Sequence, residues 1–291
     1  MNHAQLRAFH AVASQGSFTR AAEALHVTQP TLSGQVKELE ARYGVKLFDR
    51  RGRRVYPTEL GQSLLDLTRR LFSLEAEAEQ ILGAAKGLKR GHLRLAADAP
   101  FHVIAALSAF AKRYPGIRLS LTIGNSEQIL DDLVEHRADV AVLANIPEDP
   151  RVYAFPFRQD RLIAFVERDH GWADREAVTL KELAGRRLVL REIGSTTRRL
   201  FENAMAARGL ALGEVLEVNS REAVRETVAA GLGIGVVSES EFGSDRRLVP
   251  LRIAADELAM TEYVACLAER RDLSLVRAFL DILELQMPAE R

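Results

Sequence analysis

The run Arg191-Glu192-Ile193-Gly194-Ser195-Thr196-Thr197-Arg198 sets three hydroxyl side chains directly after a glycine. The apolar residues 188–190 before it read as a strand and residues 196–208 as a helix, so the run falls where a strand passes into a helix. The first-turn N–H groups of a helix have no partner inside it, and the helix dipole makes that end positive. With the hydroxyls of Ser195, Thr196 and Thr197 beside it, such an end suits an anion: carboxylate, phosphate, phosphonate or sulfonate. One hydroxyl would suffice for simple capping; three after Gly194 favour a binding site. Asp98-Ala99-Pro100-Phe101 and Gly124-Asn125-Ser126 hold the same strand-to-helix position earlier in the chain, and Asn145 ends a strand. Each could be a cap alone; together they are expected to form the opposite wall of one cleft.

A second chemistry lies near the N-terminus. Residues 17–43 read as two short helices joined by a tight turn, Ser17 capping the first and Thr28 the second, with Pro30 tolerated in its opening turn. Leu32, Val36, Leu39 and Tyr43 form the expected buried stripe of the second helix. Gln29, Pro30, Thr31, Ser33 and Lys37 then point outward with Gln35 at the edge, groups able to meet base edges and phosphates in a major groove. Shortly after come Arg50, Arg51, Arg53 and Arg54 on one tight loop. Crowded cations of this kind call for phosphate, which gives affinity and salt dependence without sequence choice. Overall charge is balanced at 40 basic and 40 acidic residues, but residues 1–91 carry 14 Lys/Arg against 9 Asp/Glu and the remainder 26 against 31. The N-terminal part is the one suited to a polyanion.

Other chemistries are excluded or unsupported. Ser195 and Ser238 lack an identifiable base, so no nucleophile with its partners can be assembled and no enzyme is expected. Gly231, Gly233 and Gly235 follow a helix and precede a strand, the reverse of the order that brings a dinucleotide to a helix N-terminus. The seven histidines show no metal-ligand spacing, so no metal site and no cofactor are expected. Cys266 stands alone in an apolar context and reads as a buried filler. No stretch at the start resembles a signal peptide and none later approaches the roughly 18 apolar residues of a membrane span. A cytoplasmic protein without membrane contact is expected.

Several elements must position these groups. Leu6, Phe9, Val12 and Ala13 give a third helix against which the first two pack. Residues 45–48 and 55–56 read as two strands flanking the arginine loop, a wing that completes a DNA-binding domain over residues 1–58. In residues 59–86, Leu60, Leu64, Leu67, Leu71, Leu74, Ala78 and Ile81 alternate spacings of four and three, the seam of a coiled coil. A 58-residue head is too small to cover that seam, so the helix is expected to dimerise. Residues 87–91 form a glycine-rich, basic hinge. Residues 92–291 alternate strands and helices as two parallel α/β lobes, lobe I over about 92–161 and 268–291 and lobe II over about 162–267.

The ordered set Gly16-Ser17-Phe18-Thr19-Arg20-Ala21-Ala22, Thr28-Gln29-Pro30-Thr31-Leu32-Ser33, Leu39-Glu40, Leu47-Phe48-Asp49-Arg50 and Pro57-Thr58-Glu59-Leu60-Gly61 resembles the LysR-type transcriptional regulators. The resemblance runs over essentially the whole chain. It implies an α+β multidomain architecture: an N-terminal winged helix-turn-helix, a dimerising linker helix and a two-lobed, periplasmic-binding-protein-like effector domain with its inducer between the lobes, often in a homotetramer. Gln29, Pro30, Thr31, Ser33 and Gln35 match the family's DNA-facing residues; Arg50, Arg53 and Arg54 match its wing. The Gly194–Thr197 run resembles its inducer-contacting loop. Gly34 departs from the pattern, because many members carry a longer, often basic side chain there. The expected partners are promoter DNA, a small anionic inducer and further copies of the chain, with RNA polymerase a candidate. The rivals are a solute-binding protein with a helical adaptor and a two-lobed enzyme.

Overall fold

The computed structural model describes residues 1–291 apart from 52–53, 85–89, 145, 147, 256–257 and 286–291; for residues 50–51, 54, 79–81 and 83–84 it describes the backbone alone. The expectations for Arg53 and Asn145, for the side chains of Arg50, Arg51, Arg54 and Ile81, and for hinge residues 87–89 therefore lie outside the described part. The chain divides into a unit built on Met1–Leu82 and one built on Gly83–Val134 and Ala138–Arg291.

The first unit begins with α1 (His3–Gln15), α2 (Phe18–Ala24) and α3 (Gln29–Tyr43). Asn2 and Gln5 close a reciprocal capping box on α1, Ser17 caps α2 and Thr28 caps α3. Gly16 and Gly44 end α1 and α3 in the left-handed conformation that glycine adopts at least cost. Phe9, Val12, Leu32, Val36 and Leu39 form the core with Phe48 and Leu65. Tyr43, expected in the buried stripe, is 54% exposed, because α3 ends there at Gly44 and Val45, Leu47 and Phe48 of the following segment pack on the core instead.

Strands β1 (Phe48–Arg51) and β2 (Arg54–Pro57) pair antiparallel, and Val55 donates its N–H to the Gly16 carbonyl at 3.2 Å. Residues 45–47, expected in the first strand, lie outside the ladder. Val45 N–H donates to the Glu40 carbonyl at 3.0 Å and Leu47 N–H to the Glu40 carboxylate at 2.7 Å, so the end of α3 uses the donors that a strand would need.

Helix α4 (Glu59–Ala84) packs Leu65 into the head core and places buried Thr68 Oγ1 3.0 Å from His10 Nδ1. Leu64 is half-buried against the same core. Leu60, Leu67, Leu71 and Leu74 are 50, 61, 41 and 60% exposed, a row of leucines on the opposite edge. A Cβ at Gly61 would come within 2.2 Å of the Leu47 carbonyl oxygen, which is fixed by the Thr58 N–H at 2.9 Å. Gly61→Ala is expected to destabilise the head by about 1–3 kcal/mol, as overpacking does, read as a lower denaturation midpoint by circular dichroism.

The second unit opens with β3 (Gly91–Ala97), α5 (Phe101–Arg113), β4 (Ile117–Ile123), α6 (Ser126–Val134) and β5 (Val140–Ala144), the strands parallel. The 16-residue β6 (Val152–Glu167) follows. Then come β7 (Ala177–Val178), α7 (Leu180–Leu183), β8 (Leu188–Arg191), α8 (Thr196–Ala207), β9 (Val215–Val218), α9 (Arg221–Ala229), β10 (Ile234–Ser238), α10 (Glu239–Phe242), β11 (Leu248–Ile253), β12 (Ala259–Leu267) and α11 (Ser274–Glu284). The main strand order is β4-β3-β5-β12-β6-β10-β8-β9.

Two lobes share this sheet because β6 belongs to both: residues 152–161 pair with β12, and 162–167 with β10 and β11. The return to lobe I comes before β12, at about residue 259, and not at 267–268 as expected. The reason is that β12 also pairs with β5, and Val264 and Cys266 pack in the lobe I core with Phe110 and Phe279. Burial pushes the Cys266 thiol up to about 11, which leaves it an inert filler. Among the described residues, no helix is long and apolar enough to cross a membrane.

Candidate functional site

The starts of α5, α6, α8 and α9 converge where the lobes meet. Asp98, Asn125 and Ser126 of lobe I face Arg191, Ser195, Thr196, Thr197 and Arg221 of lobe II across a narrow, water-sized cavity, with Glu241 and Glu262 at its walls. A wider opening of about 390 Å³ adjoins it, lined in part by Pro100, Phe101 and Asn125. Ala99 is wholly buried and is not among these lining residues.

Thr196 Oγ1 donates to Ser126 Oγ at 2.8 Å, and Ser126 Oγ donates to Asp98 Oδ2 at 2.5 Å, a chain of hydroxyls spanning the lobes. Ala144 N–H also donates to Asp98 Oδ2, at 2.9 Å. Ser195 occupies the N-cap of α8 but makes no side-chain cap; its hydroxyl lies 2.8 Å from Thr197 Oγ1. Gly194 has φ +94°, and a Cβ there would come within 2.8 Å of a Glu127 carboxylate oxygen and 3.0 Å of Asn125 Nδ2. Only glycine lets this turn approach lobe I so closely.

The cavity is rich in charge. Arg191 bonds Glu192 through both Nε and Nη2, at 2.7 and 2.8 Å, and Asn125 Nδ2 reaches the same carboxylate at 3.3 Å. Arg221 is bonded to Glu241. Burial pushes the Glu241 carboxyl up to about 7 against the opposing pull of Arg221. Glu262 is pushed up as well, by burial first and then by the charges of Asp98 and Glu241. Both groups bind protons more tightly folded than unfolded. The stability this gives is fully present below the unfolded value of 4.5 and is lost as pH rises through about 7 for Glu241 and higher for Glu262. Glu262→Gln is therefore expected to raise the melting temperature of the protein at about pH 8.5 and to leave it nearly unchanged at about pH 5, a comparison worth about 1.4 kcal/mol per unit of pKa shift.

In the head, Gln29, Pro30, Thr31 and Lys37 are exposed and Ser33 is half-exposed. Gln35 is half-buried, with its Oε1 shut off from solvent and without a donor among the described residues. A Cβ at Gly34 meets nothing within 4 Å, so the surface leaves space there for a longer side chain.

Comparison with known proteins decides what this arrangement belongs to. Residues 3–62 match the model of the bacterial regulatory helix-turn-helix protein, lysR family, and residues 86–287 that of the LysR substrate binding domain. The chain belongs to the LysR-type transcriptional regulators. Like its relatives, which are named as regulators, it is a DNA-binding regulator and no enzyme. The HTH-type transcriptional activator CmpR of Synechocystis sp. is 36% identical over 236 residues, 80% of this chain and 78% of that protein. The RuBisCO operon transcriptional regulator of Allochromatium vinosum is 36% identical over 255 residues, 86% of this chain and 84% of that protein. Among solved structures, the CcmR regulatory domain of Synechocystis PCC6803 in complex with 2-PG is 30% identical, with a TM-score of 0.63 over 68% of this chain and 98% of that one. A full-length OxyR variant from Pseudomonas aeruginosa shares the fold at a TM-score of 0.75 and 21% identity, covering 100% and 99% of the two chains.

For this LysR-type regulator, the sequence marks Arg191 only as the head of the Gly194–Thr197 run and does not mark Arg221, Glu241 or Glu262 as cleft residues. Glu262 carried the one available signal, a carboxylate amid the apolar residues 258–267. Arg221 and Glu241 sit in ordinary helix starts, and nothing near them in the chain marks a site.

Proposed function

We propose that two copies of this regulator grip promoter DNA in the cytoplasm. The outward face of α3, through Gln29, Pro30, Thr31, Ser33, Gln35 and Lys37, meets the major groove, and the arginines of the β1–β2 wing meet phosphates. The leucine edge of α4 joins the copies, and dimers pair into a tetramer. An anionic inducer sits in the cleft at the start of α8, held by Ser195, Thr196 and Thr197 against Asn125 and Ser126. The observation that carries the inducer assignment is the unused cap. Ser195 leaves the first-turn amides of α8 without its side chain as acceptor, inside a cavity and at the positive end of the helix. The presence of 2-PG in the related CcmR domain supports an anion in this domain.

Inducer binding biases the angle between the lobes, and the assembly passes that bias to the bend or spacing of operator DNA. Such coupling is reciprocal, so operator and inducer alter each other's affinity by the same factor. Fluorescence anisotropy on a fragment from the intergenic region beside the gene tests the reading. Replacing Arg50, Arg53 and Arg54 together by alanine is expected to weaken binding to all DNA and to flatten its salt dependence by up to about three units of slope. Thr31→Ala is expected to relax sequence choice more than total affinity. Retained, salt-steep binding by the triple variant would count against the wing.

A further inference from the structure

Two carboxylate oxygens in the cleft have nothing to bond. Asp98 Oδ1 and Glu262 Oε2 are buried without a hydrogen-bond partner among the described residues, and both residues line the same cavity. Asp98 is 3% exposed and Glu262 1%. The β12 register shifts between Glu262 and Tyr263, a bulge of the kind that re-aims a side chain, and Glu262 stands opposite Ala144 of β5. Of the cations that line the cavity, Arg191 is engaged with Glu192 and Arg221 with Glu241; close by, Arg158 of β6 stands opposite Glu262 in the ladder and Arg199 Nη2 donates to Thr196 Oγ1 at 3.1 Å. With Glu262 holding its proton the wall is close to neutral; once that proton leaves, the carboxylates of Asp98, Glu241 and Glu262 outnumber Arg191 and Arg221, and Asp98 Oδ1 and Glu262 Oε2 stand as spare acceptors. Buried charge without a partner is costly, and buried acceptors call for donors.

We propose that this end of the cleft seats an ammonium group, with Asp98 Oδ1 and Glu262 Oε2 as its acceptors, so that the inducer is a small zwitterion whose anionic end lies at the start of α8. The inference rests on the anion seat proposed above and adds a second, oppositely charged point of recognition. An ammonium supplies both the donors and the positive charge; a hydroxyl supplies donors alone, and a second anion supplies neither. A metal ion is the poorer occupant, since no three ligating side chains among the described residues stand close enough to hold one.

A proton signature follows. Glu262 faces Asp98 after β3, Asp160 and its ladder partner Arg158 on β6, Arg221 at the start of α9 and Glu241 in α10; burial and the three carboxylates keep its proton on against the pull of Arg221. An arriving ammonium takes the place of that proton, so binding releases it and tightens as pH rises from about 6 to about 8. A ligand with two anionic groups would instead take protons up, and its binding would weaken over the same range.

The test is calorimetry on the full chain with matched probes of each anion class: 2-aminoethylphosphonate, 2-hydroxyethylphosphonate and propylphosphonate; taurine, isethionate and propanesulfonate; β-alanine, 3-hydroxypropionate and butyrate; and 2-phosphoglycolate. In at least one class the amino member is expected to bind tenfold or more tighter than its two analogues, about 1.4 kcal/mol, with net proton release. Glu262→Gln is expected to cut that advantage below about threefold while leaving the alkyl member's affinity nearly unchanged. Hydroxyl or alkyl members, or 2-phosphoglycolate, binding as tightly as the amino compounds would overturn the ammonium seat and leave the anion seat standing. An amino advantage that survives both Glu262→Gln and Asp98→Asn would overturn the assignment of its acceptors. No binding by any probe at about 10 mM, a free energy of only about 3 kcal/mol, would remove both seats.

Discussion

Replacing Leu67 and Leu74 together by aspartate is expected to yield a monomer that binds its operator at least a hundredfold more weakly. Both side chains are about three-fifths exposed on α4, on the edge away from the head core. Burying one leucine contributes about 1.5–3 kcal/mol, and a carboxylate pressed into the same seam brings a desolvation cost in addition. Losing the partner turns a paired contact with DNA into a single one, and linkage of two heads is worth a factor of about 10²–10⁴. Because neither side chain packs into the core of the protomer, its helix content and melting transition should persist. Sedimentation velocity and anisotropy on one preparation read both effects, and a dimer that survives both substitutions would place the interface elsewhere.

Asp139→Asn is expected to destabilise the effector domain by about 3–5 kcal/mol, the loss that follows when one partner of a buried ion pair is removed. Asp139 stands just before β5, almost wholly buried. Its carboxylate accepts from Arg94 Nη2 at 2.7 Å and Nε at 3.1 Å, and Arg270 Nη1 lies 3.0 Å away. The Arg270 side chain is itself buried, so the substitution strands a guanidinium inside lobe I. The Arg94 hydrogen bonds and the charges of both arginines outweigh burial and hold the Asp139 carboxyl below 3.8. A depressed carboxylate contributes stability above its unfolded value, and that contribution is lost as pH falls through the lower folded value. The gap between wild type and variant in denaturant midpoints should therefore be wide at neutral pH and begin to shrink only as pH falls below the unfolded value of 3.8.

The parts of the fold that periodicity could reveal were legible in the sequence. Phe101–Arg113 and Ile117–Ile123 carry unbroken helical and alternating patterns, and α5 and β4 form over those residues. The first half of β6 escaped because Pro156, Arg158, Asp160 and Arg161 interrupt any alternation in a strand whose face is partly solvated. β12 escaped for the opposite reason: its apolar run signals burial without saying in which lobe, and pairing with β5 is a contact across more than a hundred residues. At the cleft, a hydroxyl run at a helix start is a local signal, and it led to Ser195, Thr196 and Thr197. The carboxylates and guanidiniums that set the charge of the cavity come from five separate places in the chain: the end of β3, β8, α9, α10 and β12. Their meeting is a property of the topology and leaves no local pattern.

The most direct test of the regulator as a paired, DNA-gripping molecule is the stoichiometry and selectivity of its complex with the intergenic fragment, followed by analytical ultracentrifugation with excess nonspecific competitor. Two or four protomers per fragment are expected, with affinity at least about a thousandfold above that for a scrambled sequence and falling steeply with salt. One protomer per fragment, or equal affinity for both sequences, would contradict the account.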